Sequence, residues 1–189
     1  MNDHGGPRAI LVVCSANQCR SPLVAGLLRT KLDDRGLPVT VTSVGTRAYD
    51  GTSATDATQQ VARRLGLDLS RHRSAALSVD DLRGVDLVLG LERAHVRDVV
   101  ALAPGLWPRT FTLKELVRRG TVIGPRAADE PLVTWLTRVG AGRRPADLLG
   151  TSAADDVDDP TGSYTTDHPT LAEDVDRLTD DLLRLLYPA

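Results

Sequence analysis

The chain has 189 residues, 41% of them hydrophobic and 25% charged, with a formal net charge of -2. That is the make-up of a globular protein large enough to bury a core, and the near-neutral balance gives no electrostatic case for nucleic acid or a membrane surface as partner. The two cysteines, Cys14 and Cys19, stand too close together to staple a fold, residues 1–7 are polar, and no apolar run approaches a membrane span, so a cytoplasmic setting without a signal peptide is expected.

In chain order, residues 9–14 form a continuous apolar run, as expected of a central parallel strand. Residues 21–35 carry Leu23, Val24, Leu27, Leu28 and Leu32 at helical spacing and stop at Gly36. Residues 39–44 alternate with threonine and serine and read as a second strand, and 56–65 read as a helix stopped by Gly66. A third strand is predicted over 85–91, a helix over 93–102, a short fourth strand over 109–112, and helices over 113–119 and 130–139. An acidic loop, 151–162, precedes a last amphipathic helix that opens at Pro169 and aligns Leu171, Val175, Leu178, Leu182, Leu185 and Leu186. Strands alternating with helices predict one α/β domain, with about four parallel strands joined by right-handed crossovers.

The first strand runs into Cys14-Ser-Ala-Asn-Gln-Cys19-Arg20-Ser21-Pro22. A loop of this length between a strand and a helix can turn its N–H groups inward around a tetrahedral oxyanion, with the helix N-terminus behind it. Cys14 in that field is expected to be an ionised nucleophile, and Arg20 can fork two phosphate oxygens. The loop residues Ser15, Ala16, Asn17, Gln18, Cys19 and Ser21 are the expected anion contacts. The alternative for this stretch is a buried cysteine beside a helix cap. A phosphate ester also needs its leaving oxygen protonated. In Asp155-Asp156-Val157-Asp158-Asp159-Pro160 the residue before proline is held extended, which favours Asp159 as the acid, with Asp158 second. Repulsion from Asp155, Asp156 and Asp158 is expected to raise its proton affinity.

These segments resemble the low-molecular-weight protein tyrosine phosphatases. The Cys14–Pro22 stretch is similar to their C-x-G-N-x-C-R-S-P loop, and Ser43-Val-Gly-Thr46 to their S-A-G-T segment. Leu65-Gly-Leu-Asp-Leu-Ser-Arg-His72-Arg73 resembles G-I-D-L-S-x-H-R, residues 86–92 resemble D-x-I-L-x-M-D, and Asp155–Pro160 resembles D-I-P-D-P. The resemblance implies a doubly wound, flavodoxin-like domain with strand order 2-1-3-4 and helices on both faces. It implies hydrolysis of phosphotyrosine in proteins, or of a small phosphate ester, through a phosphocysteine on Cys14. Arg20 would hold the transferring group, Asp159 would act as general acid, Ser21 would keep Cys14 ionised, Asn17 would shape the loop, and Ser43 and His72 would support it. It further implies a reversible Cys14–Cys19 disulfide, no metal or other cofactor, inhibition by phosphate or vanadate, and a monomer or weak dimer.

Departures are visible too. Ala16 replaces a glycine, Glu92 replaces an aspartate, and Thr161-Gly162 stand where an aromatic wall is usual, leaving Tyr49 and Tyr164 as candidate walls. Residues 124–150 form a longer segment than short members carry, read as an insertion or lid. Alternatives are a thiol-coupled arsenate reductase, a phosphoarginine phosphatase, and a phosphate-binding module without turnover. No cysteine follows Cys19, which argues against a reductase using a downstream cysteine pair.

Overall fold

The computed structural model describes residues 6–161 and 167–188. Four strands, β1 (Ala9–Cys14), β2 (Thr40–Gly45), β3 (Leu87–Gly90) and β4 (Thr110–Thr112), form one parallel sheet in the order β2-β1-β3-β4. The helices are α1 (Arg20–Asp33), α2 (Asp56–Arg64), α3 (Arg93–Leu102), α4 (Leu113–Ile123), α5 (Leu132–Val139) and α6 (His168–Leu186).

Alternation along the strands sorts side chains onto the two faces of the sheet. Ile10, Val12 and Cys14 of β1, Leu87 and Leu89 of β3 and Phe111 of β4 join the larger core, with α1, α2, α4, α5 and α6. Leu11, Val13, Val44 and Val88 point the other way and pack with Leu82, Val85 and Val99 of α3. Both faces are covered, which is why β1 and β3 are apolar at every position. Strand order reverses between β1 and β3, so the crevice beyond their carboxyl ends is the natural ligand position of such a sheet.

Two predicted boundaries move for physical reasons. α4 continues four residues past Arg119, because Gly120 is no helix stop. A Cβ there would come within 2.9 Å of Leu185 and 3.2 Å of Trp135, so this glycine admits a close helix crossing, and the stop is Gly124 at φ 92°. α5 begins at Leu132, after Pro131.

The long 124–150 segment is packed against the body of the protein. Trp135 is fully buried and donates its indole N–H to the Gly124 carbonyl at 3.0 Å. Arg126, also buried, donates Nε–H to the Leu186 carbonyl at 3.0 Å, placing a cation at the C-terminus of α6. Arg143 lies between Trp107 and Phe111, its guanidinium carbon 4.1 and 3.9 Å from their ring centres, and pairs with Glu115.

Candidate active site

Cys14 ends β1, and the chain turns into α1 within six residues. The turn needs one residue in the left-handed region, and Asn17 supplies it at φ 54°, the only non-glycine with positive φ among the described residues. Ala16 is exposed and keeps negative φ, so the methyl group that replaces glycine is accommodated. Cys14 lies at the floor, the residue 2% exposed. The Asn17 backbone N–H donates to Sγ at 3.3 Å, and Ser21 Oγ lies 3.0 Å from it.

Asn17 is the tie that holds the loop. Its Nδ2 donates to Ser21 Oγ at 2.8 Å and to Ser43 Oγ at 3.0 Å, and its Oδ1 accepts the Ala75 N–H at 3.0 Å. Its carbonyl lies 2.7 Å from His72 Nε2, which must therefore carry the proton and donate. Burial holds His72 neutral against that bond, its pKa lowered from the usual value. Ser43 and His72 thus both reach the loop through Asn17. Gly45 makes the close approach possible: a Cβ there would overlap the Ser15 carbonyl oxygen and stand 2.9 Å from the Asn17 nitrogen.

Arg20 is 2% exposed and enters from the first turn of α1. Its Nη1 pairs with Glu92 Oε1 and donates to the Val157 carbonyl at 3.0 Å, while Nη2 donates to Asp159 Oδ2 at 2.7 Å. Burial penalises this cation, but the bonds and charges of Glu92 and Asp159 outweigh it and keep Arg20 charged. The guanidinium thus gathers Glu92 and Asp159, which are far from it and from each other in sequence. Asp158, one residue earlier, is exposed.

The expected proton affinity of Asp159 is corrected by the structure. Burial favours its neutral acid, yet the hydrogen bond from the Thr161 hydroxyl, the Arg20 charge and the Thr161 N–H together hold the carboxyl below its usual pKa. The neighbouring acids do not act as bare charges against it. Asp155 is clamped by Arg93 at 2.7 Å and Arg118 at 2.6 Å, and Asp156 accepts the backbone N–H groups of Arg93 and Ser152. The acidic run spends its charge on bracing the loop.

Cys19 lies under the loop. Burial dominates its titration and pushes the thiol up to about 11 despite a hydrogen bond with Thr58, so it is protonated at neutral pH. Cys14 and Cys19 are both free thiols. Gln18 is half-buried, and its carbonyl accepts the Thr55 N–H at 3.1 Å. Tyr49 is 82% exposed, on the loop after β2, with its carbonyl held by the Ser74 and Thr52 hydroxyls. Tyr164 and Gly162 lie outside the described residues.

Two participants were not legible as such in the sequence. Glu92 was visible only as a replaced aspartate, though its place just beyond β3, at the switch in strand order, was a usable signal. His95 gave none, because α3 brings it to the loop through folding alone. Its Nε2 lies 3.0 Å from Ser15 Oγ, and its Nδ1 accepts the Glu92 N–H at 3.0 Å. Burial and the Arg20 charge push His95 down to about 4. Among the described residues no group of three His, Cys, Asp or Glu side chains could hold a metal, and no helix is long and apolar enough to cross a membrane.

Both the sequence and the fold are similar to those of known proteins. Residues 9–123 match the family model described as low molecular weight phosphotyrosine protein phosphatase. A protein-arginine-phosphatase of Geobacillus stearothermophilus is 33% identical over 144 residues, covering 70% of this chain and 94% of that protein. A probable low molecular weight protein-tyrosine-phosphatase of Erwinia amylovora is 32% identical over 117 residues, covering 62% and 78%. The crystal structure of a low molecular weight protein tyrosine phosphatase from T. tengcongensis superposes with a TM-score of 0.69 at 28% identity, over 93% of this chain and 97% of that one. The chain therefore belongs to the low molecular weight phosphotyrosine protein phosphatase family, the hydrolases of phosphate monoesters whose fold it shares.

Proposed function

We propose that this protein hydrolyses phosphotyrosine in proteins, with Cys14 as nucleophile, Arg20 as anion clamp and Asp159 as general acid. The observation that carries the reading is the buried Cys14 sulfur at the floor of a loop that turns an N–H and a hydroxyl toward it, with Arg20 and Asp159 alongside. In the first step the Cys14 thiolate attacks phosphorus, the S–P bond forms and the P–O bond to the tyrosyl oxygen breaks. The protonated Asp159 gives its proton to that oxygen. In the second step water attacks phosphorus, Asp159 takes its proton, and inorganic phosphate leaves as the thiolate returns. Arg20 forks the equatorial oxygens throughout.

An incoming phosphate dianion competes for Arg20 Nη2, and its charge beside the released carboxyl raises the proton affinity of Asp159, as an acid catalyst requires. The burial of Cys14 favours a long, flat phosphoryl carrier over phosphoserine, and we read the exposed Tyr49 as a wall for it. Phosphoarginine is equally long, and the similarity to a protein-arginine-phosphatase makes it the second reading. We also read the chain as a single domain in the cytoplasm, with residues 124–150 bracing its core.

Turnover of p-nitrophenyl phosphate, abolished by Cys14→Ser, tests the chemistry. A panel of phosphotyrosine, phosphoarginine and phosphoserine peptides, with arsenate plus thiol, tests the substrate. Phosphotyrosine is expected to give the highest kcat/KM, and a protein that binds phosphate without turning over any of them would overturn the reading.

A further inference from the structure

Resting on the phosphatase reading, we infer that His95 is a positioning residue for the bound phosphoryl group, acting through the hydroxyl of Ser15. The argument is proton bookkeeping on one ring. His95 is 1% exposed, so its partners are those the fold supplies. Nδ1 accepts the N–H of Glu92 at 3.0 Å and therefore bears no hydrogen. The neutral ring must then carry its proton on Nε2, 3.0 Å from Ser15 Oγ, and the serine oxygen is the acceptor of that bond. Ser15 is left with its own hydrogen to give. Among the described residues its hydroxyl has no other hydrogen-bond partner. Ser15 directly follows the nucleophile in the loop, and the inferred acceptor of that hydrogen is an oxygen of the anion held there.

Capping α3 needs only Nδ1, so the engagement of the far nitrogen serves the loop and not the helix. The relay also has a fixed polarity. Glu92 N–H to His95, His95 N–H to Ser15, and Ser15 O–H to the anion all run one way, so the hydroxyl is pre-set as a donor and need not reorient when substrate arrives.

Two replacements separate the cap from the relay. In His95→Asn the amide oxygen takes the place of Nδ1 and keeps the Glu92 bond, but nothing reaches Ser15. In His95→Gln the amide nitrogen falls near the position of Nε2 and can still donate to Ser15. The experiment measures kcat and KM for p-nitrophenyl phosphate and, by calorimetry, the Kd of inorganic phosphate, for these variants, Ser15→Ala and the double variant Ser15→Ala/His95→Asn. Losing one hydrogen bond to a charged group is expected to raise the phosphate Kd and lower kcat/KM by about tenfold in Ser15→Ala and in His95→Asn. His95→Gln should stay within about threefold of the parent, and the double variant should be no weaker than Ser15→Ala by more than about twofold.

An unchanged phosphate Kd in Ser15→Ala would overturn the inference, and that variant removes only a hydroxyl from a half-buried surface position. So would equal losses in His95→Asn and His95→Gln, or additive losses in the double variant. If the parent turned over no substrate, the phosphatase reading would fail by itself, and the phosphate Kd values would still decide the relay.

Discussion

At the scale of single residues, the site is governed by what each side chain is tied to. Asp159 and Asp158 are adjacent, both acidic and both near a proline, yet only Asp159 reaches Arg20. Asp159→Ala is expected to slow turnover by about 10²–10⁴-fold, with Asp158→Ala close to the parent; steady-state kinetics on p-nitrophenyl phosphate decide it, and the reverse order would move the acid by one residue. Gly45 carries no chemistry but permits it. Gly45→Ala would drive a methyl group into the Ser15 carbonyl oxygen, and backbone gives way less readily than a side chain. A fall in kcat of about 10²-fold with far-UV circular dichroism unchanged is the expected result, since small displacements of a reacting loop are costly.

Elements are held at the site by caps that double as braces. Thr112 ends β4 and caps α4, its Oγ1 accepting the Glu115 N–H at 3.0 Å while donating to the Asp155 carbonyl at 2.5 Å. One fully buried hydroxyl thus joins the start of a helix to the acid loop. Thr112→Val keeps the shape and removes both bonds, with an expected destabilisation of about 2 kcal/mol in urea unfolding. At this scale the sequence was a good guide. The apolar run of β1 and the spacing of Leu23, Leu27 and Leu28 on α1 are local patterns that the backbone must respect. The helix predicted over 113–119 falls short of α4, because Gly120 lies inside it where two helices touch, as its approach to Trp135 and Leu185 shows.

Across the whole molecule, histidines His95 and His72 link the site to stability. His95 titrates at about 4 in the fold and near 6.5 when unfolded, so the unfolded chain binds a proton more readily in that window. Stability from this group is complete above about pH 6.5 and is lost as pH falls toward 4, by roughly 3 kcal/mol at most. His72, also lowered by burial, acts with the same sign. Denaturant unfolding between pH 7 and 4.5 should show this decline, and His95→Asn should flatten it; an equal slope in the variant would mean that other groups carry the effect.

By itself the sequence determined the parallel α/β alternation, the loop from Cys14 to Ser21 and the acidic segment holding Asp159, because each is written in neighbouring residues whose spacing and chemistry act locally. Tertiary structure alone decided that Glu92 and Asp159 share Arg20, that Asp155 is spent on Arg93 and Arg118, and that His95 meets Ser15. Those partners are brought together by crossovers of the sheet, and whether a carboxyl gains or loses its proton depends on the charges and solvent that packing leaves around it.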